Sequence, residues 1–124
     1  MKALLAMAFV GALTAAPVSA DCPYPAAPAK LPDGATATLE EMLAGKKEVD
    51  AYQKAINDYT ACIDKELDDA IAKGGDKLKP EQKADMQKIE AQKHNAAIDQ
   101  LQALADRFNE QIKVFKAKSA DKKN

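Results

Sequence analysis

The longest regular pattern in the chain lies between Pro80 and about Lys118, where no further proline or glycine occurs. Apolar residues recur there at steps of three and four. This spacing places them on one face of an α-helix and leaves the other face to charged and polar residues. The pattern predicts one amphipathic helix over residues 80–118. Its apolar face contains Met86, Ala97, Leu101, Leu104, Phe108, Ile112 and Phe115.

A second stretch, residues 39–73, has the same periodicity and clear signals at both ends. Thr38 followed by Glu41 has the spacing of a capping box, in which each side chain accepts a hydrogen bond from the other residue's backbone. Gly74 and Gly75 follow the last apolar position, and glycine is the residue most often found just past a helix C-terminus. The apolar face predicted for this helix contains Met42, Gly45, Val49, Tyr52, Ile56, Tyr59, Ile63, Leu67 and Ala70.

A connector of four residues, 76–79, separates the two predicted helices, and long helices joined by a short connector pack antiparallel. The sequence therefore predicts an all-α fold, a long antiparallel two-helix hairpin. Aligning the two apolar faces about the turn places Ile56 opposite Ala97 and Gly45 opposite Phe108. The space needed by that ring would account for a glycine inside a helix, which costs about 1 kcal/mol relative to alanine.

A hairpin of two helices, each with one apolar face, has a small core, and its net stability is expected to be low. We expect additional burial from the segment that precedes the helices. A dimer that forms a four-helix bundle would be a second source of burial.

The first 37 residues precede both helices and divide into two parts. Residues 1–20 have the organisation of a cleavable signal peptide: a basic Lys2, an apolar run and the small residues 18–20 before the predicted cut. The apolar run is shorter than the roughly 20 residues that span a bilayer, so no transmembrane segment is predicted. Residues 21–37 contain four prolines, which predict an extended strip with a turn at residues 32–34.

The chain has two cysteines, Cys22 and Cys62. In an exported protein an even number of cysteines indicates a disulfide, here one that holds the proline-rich strip against the first helix. Closing a loop of this length stabilises a fold by about 4 kcal/mol in the chain-entropy description. Two free thiols, or a bridge between molecules through Cys22, are the alternatives.

Charge excludes one class of function. Without residues 1–20 the chain keeps 17 basic and 19 acidic residues, a formal charge of −2, which does not favour nucleic-acid binding. The basic residues concentrate in the last part of the chain, residues 107–124. This lysine-rich end could make weak contact with an anionic surface, although such ends commonly serve only solubility. The six residues 119–124 are predicted to form a frayed tail.

The best candidate for chemistry is Glu90 with His94, one helical turn apart inside the apolar face. A carboxylate and an imidazole at this spacing can bind a metal or exchange protons. The predicted register adds Tyr59 opposite His94, so a polar trio that satisfies its own hydrogen bonds is the simpler interpretation. The chain has one histidine and no metal-binding or haem-attachment cysteine motif. We therefore predict no enzymatic activity, no cofactor and no metal.

Two further polar features accompany this trio. Four acidic residues lie near the end of the first helix, where the helix dipole disfavours negative charge; a solvated cluster with the lysines of the turn is the simplest interpretation, and a cation or a basic partner is the alternative. Asn95 and Asn109 lie beside the second apolar face and could bond to the strip or to another molecule. The acidic residues are Asp64, Glu66, Asp68 and Asp69.

Three short stretches carry a resemblance: Tyr59–Asp64, His94–Asp99 and Arg107–Ile112. With the leader and the helical pattern, they resemble small, signal-peptide-bearing α-helical proteins of unknown function from Gram-negative bacteria. The resemblance covers most of the chain after residue 20. It implies a periplasmic location and implies no activity.

These observations lead to three functional hypotheses. The first is a non-enzymatic periplasmic binding or scaffolding protein, whose partner is a protein of the cell envelope or a second copy of the chain. The second is a chaperone-like module that presents an apolar face to unfolded or amphipathic clients. The third is a metal site at Glu90 and His94.

Overall fold

The computed structural model describes residues 22–123, which form two long helices and no strand. Helix α1 is Leu39–Gly74, a short 3-10 turn is Gly75–Lys77, and helix α2 is Pro80–Asp121. The helices pack antiparallel, which confirms the predicted all-α hairpin. The predicted signal peptide, residues 1–20, lies outside the described residues.

The ends of α1 are fixed by local sequence. The Oγ1 atom of Thr38 accepts a hydrogen bond from the Glu41 amide at 3.2 Å, and the Glu41 carboxylate accepts one from the Thr38 amide at 2.7 Å. This is the predicted capping box. At the other end Gly75 takes a φ of 47°, a conformation that glycine adopts without the steric cost of a side chain. The sequence Gly74-Gly75 therefore ends the helix.

Helix α2 begins at Pro80, and the Lys79 amide before it donates to the side-chain oxygen of Gln82 at 3.0 Å. Its last turns extend to Asp121, three residues beyond the predicted end at residue 118. The Ser119 hydroxyl donates to the Phe115 carbonyl at 3.0 Å, and no proline or glycine interrupts this stretch. Half of the segment predicted as a frayed tail is thus helical.

The apolar faces of α1 and α2 meet along a line that we call the seam. Ile56 of α1 and Leu104 of α2 are its most enclosed large side chains, 0% and 1% exposed. Gly45 lies against the ring of Phe108, as the predicted register requires. The buried side chains of the seam are Met42, Val49, Tyr52, Ile56, Ile63, Ala97, Leu104 and Phe108.

Residues 22–37 form an extended segment, the strap, that lies along the hairpin. Its first residue is bonded to α1 through the predicted disulfide Cys22–Cys62, with the two Cα atoms 5.7 Å apart. Its other end is held by a turn in which the Asp33 carbonyl accepts from the Thr36 and Ala37 amides at 3.1 and 2.7 Å. The strap therefore adds a third layer to the two helices, as expected for a hairpin with a small core.

The strap turn is hydrogen-bonded to α2. The Gly34 amide donates to Gln111 Oε1 at 2.8 Å, and Lys118 Nζ donates to the Ala37 carbonyl at 2.8 Å. A Cβ atom at residue 34 would lie 2.0 Å from the Gln111 carbonyl oxygen, so only glycine allows the turn to approach the helix backbone this closely.

Candidate functional site

The strap covers one half of the seam and leaves the other half open. The strap runs from its disulfide with Cys62 to the start of α1. It therefore covers the half of the hairpin that is farther from the turn between the two helices. All the buried residues of the helices lie in that half or at its border. Among the described residues from 64 to 96, none is buried. We call the part of the hairpin formed by residues 63–96 the turn half.

The turn half contains an apolar groove between α1 and α2, which we call the turn-half groove. Two of its residues on α1 are Ile63 and Ala70. They belong to the same row of the helix, at steps of three and four, as Tyr52, which lies under the strap. The groove is thus a continuation of the channel that the strap occupies, beyond the point where Cys22 ends it. Its volume is about 190 Å³, and its lining is Ile63, Leu67, Ala70, Met86 and Ile89 with the charged Glu66, Glu90 and Lys93.

Exposure in the groove is unusual for side chains of this type. Ile89 is 53% exposed, although it has the size and branching of a core residue. Leu67 and Met86 are half-buried, whereas Val49, Ile56 and Leu104 in the covered half of the seam are buried. Apolar surface in the groove is therefore exposed to water, whereas the strap covers comparable apolar surface in the other half of the seam.

Two carboxyl groups meet across the seam in the turn half. The pKa of Glu90 is raised above its ordinary value, first because its side chain shares a hydrogen bond with Asp64, and further because of burial and the negative charge of Asp64. His94 acts in the opposite direction, and Asp68 adds to the rise. One proton shared between neighbouring carboxyls relieves their repulsion, which is the usual reason for such a shift.

The predicted polar trio is placed as follows. Glu90 and His94 are neighbours on α2, and both are half-buried. Tyr59 is on the strap side of α1, where its ring packs edge-to-face against Tyr24 with ring centres 5.0 Å apart. In the predicted register residue 59 is level with residue 94, and the ring contact that the structure gives Tyr59 is with Tyr24 of the strap.

Tyrosines mark the place where the strap begins. The pKa of Tyr24 is raised to about 12 by burial and by a hydrogen bond with Tyr52. The pKa of Tyr59 is also raised, by burial and then by the neighbouring Tyr24 and Glu66. Tyr24 and Tyr59 therefore stay neutral at physiological pH, and the cluster packs the strap against α1.

No metal centre is formed in the part of the chain that the structure describes. Within residues 22–123, no three side chains of the His, Cys, Asp or Glu type are grouped so that they could hold a metal ion. Glu90 and His94 thus have no third ligand within that range. The same range contains no helix that is both long enough and apolar enough to cross a membrane.

The other polar features predicted from sequence are at the surface. Of the four acidic residues near the end of α1, Asp69 forms an ion pair with Lys65 at 2.5 Å. In the lysine-rich C-terminal part, Lys113 pairs with Glu110 at 2.6 Å, while Lys118 bonds to the strap and lies 5.1 Å from the centre of the Phe115 ring. At least one of these lysines is therefore part of the fold. Asn95 and Asn109 are both exposed.

Sequence reasoning missed the carboxyl partner and the open groove. The register that places Ile56 opposite Ala97 also places Ile63 opposite Glu90, and Asp64 is the next residue, so a tolerance of one position would have indicated the Asp64–Glu90 pair. The groove had no signal of its own, because its apolar residues follow the same periodicity as the covered ones. Only the end point of the strap distinguishes the two halves.

Comparison with known protein families, with curated proteins and with solved structures gives no match for this chain.

Proposed function

We propose that this chain is a non-enzymatic helical scaffolding protein of the periplasm that binds an amphipathic helix of a protein partner in the turn-half groove. The observation that carries the proposal is the difference between the two halves of the seam, since residues 22–37 cover one half and no described residue covers the groove in the other. One channel between two helices is filled along half its length and open along the other half. The open half has the same apolar periodicity as the filled half, so it is suited to a further element.

The shape of the groove favours a helix over a small ligand. Its volume of about 190 Å³ is below the roughly 300–1,000 Å³ of ordinary small-molecule pockets. It can take a few aliphatic side chains, which is what an amphipathic helix contributes when it lies in a groove. Two antiparallel helices with an apolar channel between them are also two members of a three- or four-helix bundle.

The charges at the groove describe the partner helix further. Glu66 lies on the α1 side of the groove and Lys93 on the α2 side. A partner helix of complementary charge has an acidic residue beside Lys93, a basic residue beside Glu66, or both. Such rim charges set orientation and on-rate more than affinity.

Location in the periplasm is supported by the leader pattern of residues 1–20 and by the disulfide, since disulfides persist in oxidising compartments. The resemblance to small exported helical proteins points the same way. The absence of a nucleophile–base motif in the sequence supports a role without catalysis.

The test is photo-crosslinking from position 89 in cell-envelope extract, with a probe at the exposed Gln102 as the matched control. We expect position 89 to crosslink to an amphipathic helical segment, identified by mass spectrometry, and position 102 not to do so. Introducing Leu67→Lys should abolish the crosslink. Equal crosslinking from both positions, or products that survive Leu67→Lys, would contradict binding in the groove.

A chaperone-like function is the second candidate, favoured by the exposure of Ile89 together with Leu39 and Leu43, which are 63% and 53% exposed. It predicts that the protein suppresses aggregation of a model client at equimolar ratio and that clients of unrelated sequence compete with one another. The scaffolding proposal predicts no such suppression.

A further inference from the structure

We propose that the helix bound in the turn-half groove is α2 of a second copy of this chain, packed antiparallel about Ile89. The inference rests on the proposed function and names its partner. The observation behind it is a row on α2 formed by Asp85, Ile89 and Lys93. These residues follow one another at steps of four, so they form one of the ridges that a helix packs against another helix.

The row is self-complementary. In an antiparallel pair of α2 helices with Ile89 at the two-fold axis, residue 85 of one copy faces residue 93 of the other. Asp85 then faces Lys93 of the second copy, and the same pair forms again on the other side of the axis. An isologous interface requires this kind of self-matching, since the same patch is used by both subunits.

Among residues 22–123, the charges of this row have no ion-pair partner in their own chain. Along the described helices, lysines such as Lys46, Lys54 and Lys65 pair with an aspartate four residues later. In the row on α2, Ile89 lies four residues from each charge, and the positions four residues further out are Glu81 and Ala97, so no opposite charge lies at this spacing. Within residues 22–123 no ion pair involves Asp85 or Lys93. Their side chains are exposed and available to a second molecule.

The same arrangement fills both grooves at once. Ile89 of each copy enters the groove of the other, against Leu67 and Met86, and removes from water the apolar residue that is most exposed on α2. The two turn halves then form a four-helix bundle. The strap ends at Cys22, before the contact begins, and remains as it is in each copy.

The size of the contact determines its strength. The contact face of the turn half is about 25 Å long, the length of α2 from residue 80 to 96. It is about 20 Å wide, the width of α1 and α2 side by side, so its area is about 500 Å². Stable interfaces use about 800 Å² from each partner. We therefore expect a reversible dimer that depends on protein concentration, with its register set by the two ion pairs.

Sedimentation equilibrium of the purified, oxidised protein tests the inference over about 1 µM to 1 mM, the range in which weak association is measurable. We expect a monomer–dimer equilibrium. Ile89→Lys should abolish it, and Ile98→Lys, at an exposed residue outside the row, should leave it unchanged.

Charge reversal gives the sharper result. Asp85→Lys and Lys93→Asp alone each place like charges opposite one another twice in the dimer, so each should weaken association by about tenfold. The double variant restores both pairs and should return the dissociation constant to within about threefold of the unsubstituted value. Asp99→Lys, on another face of α2, is the control and should have no effect. A double variant that is weaker than either single variant overturns the antiparallel register.

Two outcomes separate this inference from the proposed function. A protein that remains monomeric throughout this concentration range, while position 89 still crosslinks to a different envelope protein, overturns the dimer and leaves the scaffolding proposal standing. A dimer that is insensitive to Ile89→Lys overturns the inference by showing that the two copies meet through another surface.

Discussion

Gly45 is the position where helix propensity and packing make opposite predictions. A Cβ atom added there would lie 2.6 Å from both Cγ and Cδ of Pro32 in the strap, and 3.2 Å from Cε2 of Phe108. The sequence predicted the contact with Phe108, and the structure adds Pro32. Because the proline ring is rigid, it cannot rotate away, and an alanine at position 45 requires the strap or α1 to move.

The two effects differ in size. Replacing a glycine inside a helix by alanine gains about 1 kcal/mol of stability through propensity. Overpacking a tight contact costs typically about 1–3 kcal/mol. We therefore expect Gly45→Ala to lower the free energy of unfolding by up to about 2 kcal/mol. Gly45→Leu should lower it by about 3 kcal/mol, at the upper end of the overpacking range.

Urea denaturation of the oxidised protein measures the effect, and two variants isolate its cause. Ala61→Gly, at an exposed position of the same helix, should cost about 1 kcal/mol and reports propensity alone. In the background Pro32→Ala, which removes the two clashing ring atoms, Gly45→Ala should become neutral or stabilising. The double-mutant cycle should thus show a coupling of about 1–2 kcal/mol between positions 32 and 45. If Gly45→Ala stabilises the unmodified protein by the full propensity gain, the strap does not lie on Gly45 in solution.

Three further variants test the strap and the carboxyl pair. Gly34→Ala should lower the urea midpoint, because its Cβ would meet the α2 backbone and the turn would have to leave the helix; an unchanged midpoint contradicts the close approach. The double variant Cys22→Ser with Cys62→Ser should lose about 4 kcal/mol of stability and show faster amide exchange in the strap, and unchanged exchange would show that the strap is held without the disulfide. The folded-state pKa of Glu90 is raised, first by its hydrogen bond with Asp64. Protonated Glu90 therefore stabilises the fold fully at acid pH, and this stabilisation is lost as the pH rises through the raised pKa. Glu90→Gln should therefore raise the urea midpoint at pH 7 and reduce the gain in stability on acidification, whereas a lower midpoint would show that the carboxylate form is favoured.

Helix boundaries and the hairpin were predictable because their causes are local in the sequence. The capping pair Thr38 and Glu41 fixes the start of α1, and the Gly74-Gly75 pair fixes its end. Pro80 starts α2 at the one helical position that tolerates proline. Apolar periodicity then supplied the register, as the contact of Gly45 with Phe108 confirms.

The path of the strap was predictable only in part. An extended, proline-rich segment has no internal hydrogen-bond pattern and no amphipathic period, so its sequence does not indicate which side of the seam it covers. The predicted disulfide and the predicted start of α1 gave its two end points. The bonds that close it, from Gly34 to Gln111 and from Lys118 to Ala37, join residues 77 and 81 positions apart. No local signal reports such pairs, and Lys118 therefore seemed to belong to a solubilising tail.

The position of Cys62 determines how much of the seam is covered, and therefore where the groove begins. Sixteen extended residues reach about 50 Å at 3.1 Å each. The stretch of α1 from its first residue to Cys62 is about 36 Å long at 1.5 Å per residue. The strap is thus long enough to pass Cys62 by two helical turns, which is the length of the groove. The excess is taken up by the turn at residues 33–37, and the disulfide stops the strap short of Leu67 and Ile89. Chain length alone would have allowed the groove to be covered as well, so the open groove is a consequence of where the cysteine lies and not of a shortage of chain.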